Sequence, residues 1–210
     1  LERAAHLIGC KDWIKFKLTG VISTDPTEAS SAFADVRTQA YSREALALYS
    51  LSEFWDRLAP VVGSTKIAGT VSVVAATETG LRAGTPVASG LHDVDAGLVG
   101  TGAQVPGALS IIAGSFSINQ TVSHRPIIDE RWLTRTFIEP GAWLHLSVSP
   151  ASASNLEWFA RELWPAEGGD REAIFKAMQA RHELRTATVA MVLTAIIARE
   201  ILQMGRIRML

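Results

Sequence analysis

The run from Lys66 to Gly102 constrains the fold more than any other part of the sequence. Short apolar segments rich in Val, Ala and Thr alternate there with glycines, which end regular elements. The pattern predicts a strand over 67–71, a helix over 74–79 and a buried strand over 86–89, followed by a second helix. This alternation of strand and helix favours an α/β arrangement.

Residues 1–60 carry helical signals. One apolar stripe is predicted on a first helix by four residues at spacings of three and four: Leu7, Cys10, Ile14 and Leu18. Asp25 is placed to cap a second helix, with Pro26 at its first position and Glu28 able to complete a capping box. Ser42 and Ser52 are further candidate caps, so we expect this part to be mostly helical.

The composition excludes several classes of partner. The 210 residues carry a formal net charge of -1, which offers no basic surface to nucleic acid. The single cysteine, Cys10, excludes an internal disulfide and a cysteine zinc site, and it is compatible with a reducing cytoplasm. The longest apolar run, 187–198, is shorter than the roughly 20 residues that cross a bilayer. We therefore expect a cytoplasmic protein with neither nucleic acid nor membrane as partner.

The segment "SGLHDVDAG" places His92, Asp93 and Asp95 where a strand is expected to run into a helix. Two interpretations of these acidic residues stay open. An aspartate can cap the helix by accepting from the free N–H groups of its first turn. Alternatively, one carboxylate is a general base at the carboxyl end of a strand, where open α/β sheets place their ligands.

Two other kinds of site are disfavoured. The glycines at 97, 100 and 102 follow the predicted helix and lack the spacing of a dinucleotide fingerprint. The five histidines are scattered without a helical metal-ligand spacing, so no metal site is expected from protein ligands.

The stretch "GALSIIAGSFSINQTV" predicts two β-rich arms, within 108–122, around a turn at Gly114 and Ser115. A Gly-Ser turn can hold phosphate through N–H and hydroxyl groups, although such a turn is usually only a turn. Together with a carboxylate that accepts a hydroxyl proton, it supplies two parts that phosphoryl transfer requires.

Three segments, in order, resemble the FGGY family of carbohydrate kinases: "CKDWIKFKLTGVISTDPTEASSAFADVRT", "GTPVASGLHDVDAGLVGTG" and "SIIAGSFSIN". The combination of "HD", "SIN" and "SNLEWF" is similar to the branch of L-xylulose and related keto-sugar kinases. The resemblance covers approximately residues 1–164. It implies an α/β, actin-like and ribonuclease-H-like two-domain kinase fold, here incomplete. Residues 1–104 would be the C-terminal part of the sugar-binding domain, and 105–210 the start of the ATP-binding domain, with an atypical tail after about 170.

The resemblance also implies an activity, which is ATP-dependent phosphorylation of a hydroxyl group on a small sugar or keto-sugar of the L-xylulose type. Asp93 matches the catalytic base, and His92 and Asp93 match the substrate side. Gly114, Ser115 and Ser117 would approach the ATP phosphates. The implied cofactors are ATP and Mg²⁺. The implied partners are a small sugar and a second copy of the chain in a homodimer.

Other residues of these motifs have simpler interpretations. Asp95 is expected to face solvent or to support its helix. Helix capping suffices to explain Asp25, Thr27 and Ser30, and Asn155 and Trp158 are interpreted first as cap and core.

The family's phosphate loop of Asp-x-Gly-Thr type and its "SGG" adenine segment do not occur in the sequence. The alternative is therefore a truncated, non-catalytic kinase-like fragment or an interaction module.

Overall fold

The computed structural model describes residues 4–114, 116–150 and Lys176. Ser115, the "SNLEWF" segment and the tail after about 170 lie outside the described residues, apart from Lys176, so their predicted roles stay predictions.

Helices and strands alternate along the described chain. The helices are α1 (Cys10–Thr19), α2 (Pro26–Ser30), α3 (Arg43–Leu48), α4 (Val73–Thr79) and α5 (Asp93–Gly100), with a 3₁₀ helix over Ser52–Arg57. The strands are β1 (Ala34–Asp35), β2 (Ala40–Tyr41), β3 (Ile67–Thr70), β4 (Pro86–Ala88), β5 (Ser110–Ala113), β6 (Ser117–Ser123), β7 (Leu133–Thr136) and β8 (Trp143–Ser149).

The strands form three sheets. β1 pairs antiparallel with β2, and β3 pairs antiparallel with β4, with an irregularity between Ile67 and Gly69. The third sheet has four strands in the order β5-β6-β8-β7, so β8 lies between the two strands that precede it in sequence. The predicted β-rich arms within 108–122 are confirmed as β5 and β6.

The chain divides into two compact units. The first contains residues 4–108, 120–129 and 133–145, and the second contains the described residues within 109–119, 130–132 and 146 onward. Strands β6 and β8 each contribute residues to both units. The expected boundary between kinase domains near residue 104 stays a prediction.

The core of the first unit is made of small and branched apolar side chains from most of its elements. Its buried members are Ala29, Leu46, Phe54, Ala59, Val71, Ala75, Val94, Leu98, Ala103, Val122, Phe137, Ala142, Trp143 and Leu144.

Local capping signals were mostly confirmed. Asp25 accepts from the N–H groups of Thr27 and Glu28 at the start of α2, and the Ser42 side chain caps α3. The expectation for Ser52 was wrong, because Ser52 is the first residue of the 3₁₀ helix and Leu51 precedes it without a side-chain cap. The first 60 residues also contain a short hairpin, β1–β2, which the helical signals did not reveal.

The apolar stripe predicted on α1 is not the buried face of that helix. Cys10 and Ile14 are exposed, whereas Asp12 and Lys15 are almost completely buried. The buried face of α1 is the one that carries Asp12 and Lys15. These two residues pair with each other and with neighbouring elements, and this pairing offsets the cost of removing their charges from water.

Candidate functional site

A tightly anchored loop joins β4 to α5 and carries the predicted site. The buried Ser89 hydroxyl donates to the carbonyl oxygens of Val62 at 3.0 Å and Thr24 at 3.3 Å. The next residue, Gly90, has φ +85°, a left-handed conformation that glycine adopts without strain. The strand therefore ends at a fixed point, and the loop delivers His92 and Asp93 to the start of α5.

Asp93 is the first residue of α5, and its side chain is 88% exposed. Its Oδ1 atom accepts from the Val94 N–H at 2.8 Å and lies 2.7 Å from His92 Nδ1. The capping interpretation is therefore correct in part, because the carboxylate does bind an N–H of the first turn. The same carboxylate is open to solvent, so a hydroxyl group can reach it.

His92 is held through both its backbone and its ring. The His92 N–H donates to Thr27 Oγ1 at 2.8 Å, and the ring lies next to Arg135, whose Nη1 is 3.4 Å from Nδ1. Burial lowers the pKa of the His92 imidazole, and the Arg135 charge lowers it further, against the opposing effects of Asp93, Glu28 and Asp25. These effects favour the neutral ring. Its Nδ1 atom faces Asp93 Oδ1 and Arg135 Nη1, and the Val94 N–H lies 3.5 Å from it at the start of α5.

Thr27 connects this loop to a buried ionic network. Its hydroxyl donates to Asp25 Oδ1 at 2.5 Å while accepting from His92. Asp25 is fully buried, and its other oxygen accepts from Lys11 Nζ at 2.6 Å. Asp25, which caps α2, therefore also supports the His92 backbone through Thr27. Its local sequence did not indicate this second role.

Helix α1 supplies the rest of that network. Lys11 Nζ lies 2.7 Å from Asp12 Oδ1, and Lys15 Nζ donates to the same oxygen at 3.0 Å and to the Ser89 carbonyl at 3.2 Å. Burial raises the pKa of Asp12, but hydrogen bonds from Lys11, Thr24 and Lys15 outweigh it and leave the pKa below its ordinary value. Lys15 ties α1 to the carbonyl just before the site loop.

Asp95 does not face solvent, which corrects one of the two expectations for it. The residue is completely buried, with 0% solvent exposure. Neither carboxylate oxygen has a hydrogen-bond partner among the described residues. Two residues along a helix correspond to a rotation of about 200°, so Asp93 and Asp95 lie on opposite faces. Burial raises the pKa of Asp95 to about 7, partly opposed by attraction to Arg135.

The predicted phosphate turn lies in the second unit. The Gly114 N–H donates to the Phe116 carbonyl at 3.0 Å, and the buried Ser117 hydroxyl has no hydrogen-bond partner among the described residues. A phosphate bound by the Gly114 N–H would have to displace this hydrogen bond. The phosphate role of Gly114, Ser115 and Ser117 stays a prediction.

Sequence reasoning missed four residues of this region, all charged and all distant in sequence from the loop: Lys11, Asp12, Lys15 and Arg135. The spacing of Asp12 and Lys15 could have indicated a pair on α1. No local signal marks Arg135, whose role depends on β7 lying beside α2.

Two further observations concern kinds of site. Within 4–114, 116–150 and Lys176, no group of three or more His, Cys, Asp or Glu side chains is arranged to hold a metal ion. The described helices include none that is both long and apolar enough to span a membrane.

Comparison with solved structures identifies the class of protein to which this fold is similar. A xylulose kinase from Rhodospirillum rubrum has the same fold, with a TM-score of 0.74 at 26% sequence identity, over 84% of this chain and 35% of that chain. The chain therefore has part of the actin-like fold of the sugar kinases, which confirms the predicted fold class.

The family follows from the sequence comparison. Residues 1–100 match the N-terminal domain of the FGGY family of carbohydrate kinases. A probable L-xylulose kinase from Haemophilus influenzae is 31% identical over 166 residues, which are 77% of this chain and 34% of that protein. An erythritol kinase from Brucella abortus is 36% identical over 132 residues, 61% of this chain and 25% of that protein. The chain spans about a third of the length of the curated relatives that it matches, or less.

Proposed function

We propose that the protein transfers the γ-phosphoryl group of ATP to a hydroxyl group of a small sugar or keto-sugar of the L-xylulose type. Support comes from the family match over residues 1–100 and from relatives named for L-xylulose and erythritol. Those names cover a keto-sugar and a polyol, so the test uses a panel that contains both kinds of substrate.

One observation carries the proposal: the Asp93 carboxylate is held in place and is exposed to solvent. A general base must be ionised, held in place and accessible to the proton that it removes. The Asp93 carboxylate is held by the Val94 N–H and by the His92 ring, and its side chain is 88% exposed.

In the proposed reaction, Asp93 accepts the proton of the sugar hydroxyl as that oxygen attacks the γ-phosphorus of ATP and the bond to the β-phosphate oxygen breaks. His92 orients the carboxylate and lines the substrate side. Mg²⁺ carried by ATP would neutralise phosphate charge; phosphates and waters supply most of its ligands in such sites, and we assign no residue of the chain to it.

The test is Asp93→Asn in the full-length gene product, assayed with ATP and a panel of keto-sugars, aldoses and polyols. The amide preserves the size of the side chain but cannot accept the proton, so kcat should fall about 10²- to 10⁴-fold. Sugar affinity, measured by calorimetry, should change little. Asp56→Asn, an exposed aspartate on the 3₁₀ helix, is the matched control and should keep wild-type turnover.

Wild-type kcat in Asp93→Asn would remove Asp93 from the base role and leave it as a helix cap. A folded wild-type protein that turns over no sugar would instead favour the alternative, a non-catalytic kinase-like module. Homodimer formation and a cytoplasmic location stay predictions from the sequence.

A further inference from the structure

Arg135 is a buried cation that makes no ion pair with a carboxylate among the described residues. It lies on β7 and is 7% exposed. A guanidinium has five N–H donors in a fixed fork; here Nη2 donates to the Thr27 carbonyl at 2.8 Å, and Nε has no partner in the described part of the chain. Burial of a charge in this way is costly, which calls for a compensating role.

The contact made by the other terminal nitrogen, Nη1, indicates what this role is. Arg135 Nη1 lies 3.4 Å from His92 Nδ1, while Thr27, which accepts from Nη2 through its carbonyl, also accepts the His92 N–H through its hydroxyl. Thr27, His92 and Arg135 therefore form a closed set of contacts, which we call the His92 clamp. It joins α2, β7 and the start of α5.

We propose that Arg135 is a positioning residue that fixes the His92 ring, and through it the Asp93 carboxylate, for the reaction. The inference rests on the proposed function for its kinetic consequence, but the clamp itself is independent of activity. Lysine cannot replace Arg135 in it, because a single ammonium group does not reach two partners with a planar fork.

The clamp also has an electrostatic effect. Arg135 acts on the ring through the contact between Nη1 and Nδ1 and through its charge, which disfavours an imidazolium. The groups that face His92 are Arg135 from β7, Asp93 from α5, and Asp25 and Glu28 from the start of α2. Burial and Arg135 together hold the pKa of His92 below its ordinary value despite those three carboxylates. A neutral His92 matters because an imidazolium would stabilise the Asp93 anion and make it a weaker base.

Asp95 is the carboxylate with the largest electrostatic effect on Arg135. Burial lowers the pKa of Arg135, and among the carboxylates that oppose this effect Asp95 is the strongest, ahead of Glu28, Asp93 and Asp25. The buried Asp95 thus has an electrostatic partner in Arg135 without a hydrogen bond to it.

The first experiment is an NMR titration of His92 in the ¹⁵N-labelled full-length gene product. Arg135→Gln removes the charge, and we expect the His92 pKa to shift upward. Arg135→Lys keeps the charge, so its shift should be smaller. Arg82→Gln, at an exposed arginine, is the matched control and should leave the titration unchanged. An unchanged His92 pKa in Arg135→Gln would overturn the proposal.

The second experiment is kinetic and uses the full-length gene product. Arg135→Lys should lower kcat/KM for the sugar about 10- to 100-fold, as a small misplacement of reacting groups does, with an unchanged KM for ATP. The acid limb of the pH profile should move upward in Arg135→Gln. Wild-type kcat/KM in Arg135→Lys would contradict the positioning role, and unfolding of both variants would assign Arg135 to stability alone. If the wild-type protein has no kinase activity, the proposed function fails while the NMR titration still decides the clamp.

Discussion

At the scale of single residues, the start of α5 places two aspartates in opposite environments. Asp93 is exposed and hydrogen-bonded, whereas Asp95, two residues later, is completely buried with neither oxygen in a hydrogen bond to a described residue. Helical rotation alone accounts for the separation. The exposed carboxylate is available to a substrate, and the buried one influences charge inside the unit.

The buried aspartate predicts an unusual dependence of stability on pH. The folded state raises the pKa of Asp95 from 3.8 to about 7. Between those values the folded chain holds a proton that the unfolded chain has lost, so this group makes the free energy of unfolding fall as pH rises. Asp95→Asn cannot ionise, so its free energy of unfolding should gain on that of the wild type, by a few kcal/mol at most, as the pH rises from about 4 to about 7.

Urea unfolding of both proteins across that range measures the difference. Asp56→Asn, a substitution of the same kind at an exposed position, is the matched control. A difference between Asp95→Asn and wild type that does not change with pH would show that Asp95 titrates normally.

At the scale of elements, α1 is held to its neighbours by charges on its buried face. Asp12 accepts from both Lys11 and Lys15, and Lys15 also reaches the Ser89 carbonyl at the end of β4. Ion pairs of this kind are geometrically specific, because each donor must meet a particular acceptor. Lys15 therefore ties α1 to the residue that precedes the loop carrying His92 and Asp93.

This arrangement makes Asp12→Asn a costly substitution. Removal of the carboxylate leaves the buried Lys15 ammonium without its ion pair, which typically costs about 3 to 5 kcal/mol. Chemical denaturation should show that loss, whereas Lys17→Gln on the exposed face of α1 should change stability by less than about 0.5 kcal/mol. Equal effects of the two substitutions would mean that the buried network contributes little.

At the scale of the whole molecule, the chain combines a family-matched segment, residues 1–100, with a four-stranded sheet that follows it. His92 and Asp93, the residues predicted to face the sugar, both lie in the first compact unit, and the predicted phosphate turn lies in the second. The residues predicted to face the sugar and those predicted to face phosphate can therefore be substituted separately.

Sugar binding should be visible as thermal stabilisation of the whole protein. A ligand that binds only the folded state stabilises it by about 2.7 kcal/mol at 100 times its dissociation constant. We expect one sugar of the panel to raise the melting temperature of wild type and Asp93→Asn alike, and to do so less for His92→Ala. Absence of a shift with every sugar would favour the interaction-module alternative.

Elements whose formation depends on residues adjacent in the chain could be predicted from the sequence. The caps at Asp25 and Ser42, the helix that ends before Gly80 and the hairpin arms β5 and β6 all follow from hydrogen bonds and turns within a few residues. The motif around Asp93 likewise pointed to the family, because its residues are adjacent in the chain.

Burial and long-range pairing were decided only by the tertiary structure. Apolar spacing on α1 suggested the wrong buried face, since the ionic partners of Asp12 and Lys15 are set by how α1 meets other elements. Arg135 lies 43 residues from His92 in sequence, and only the placement of β7 brings its charge to the ring. Local patterns specify helices, strands and motifs, whereas the electrostatic environment of the site depends on contacts that no short stretch of sequence contains.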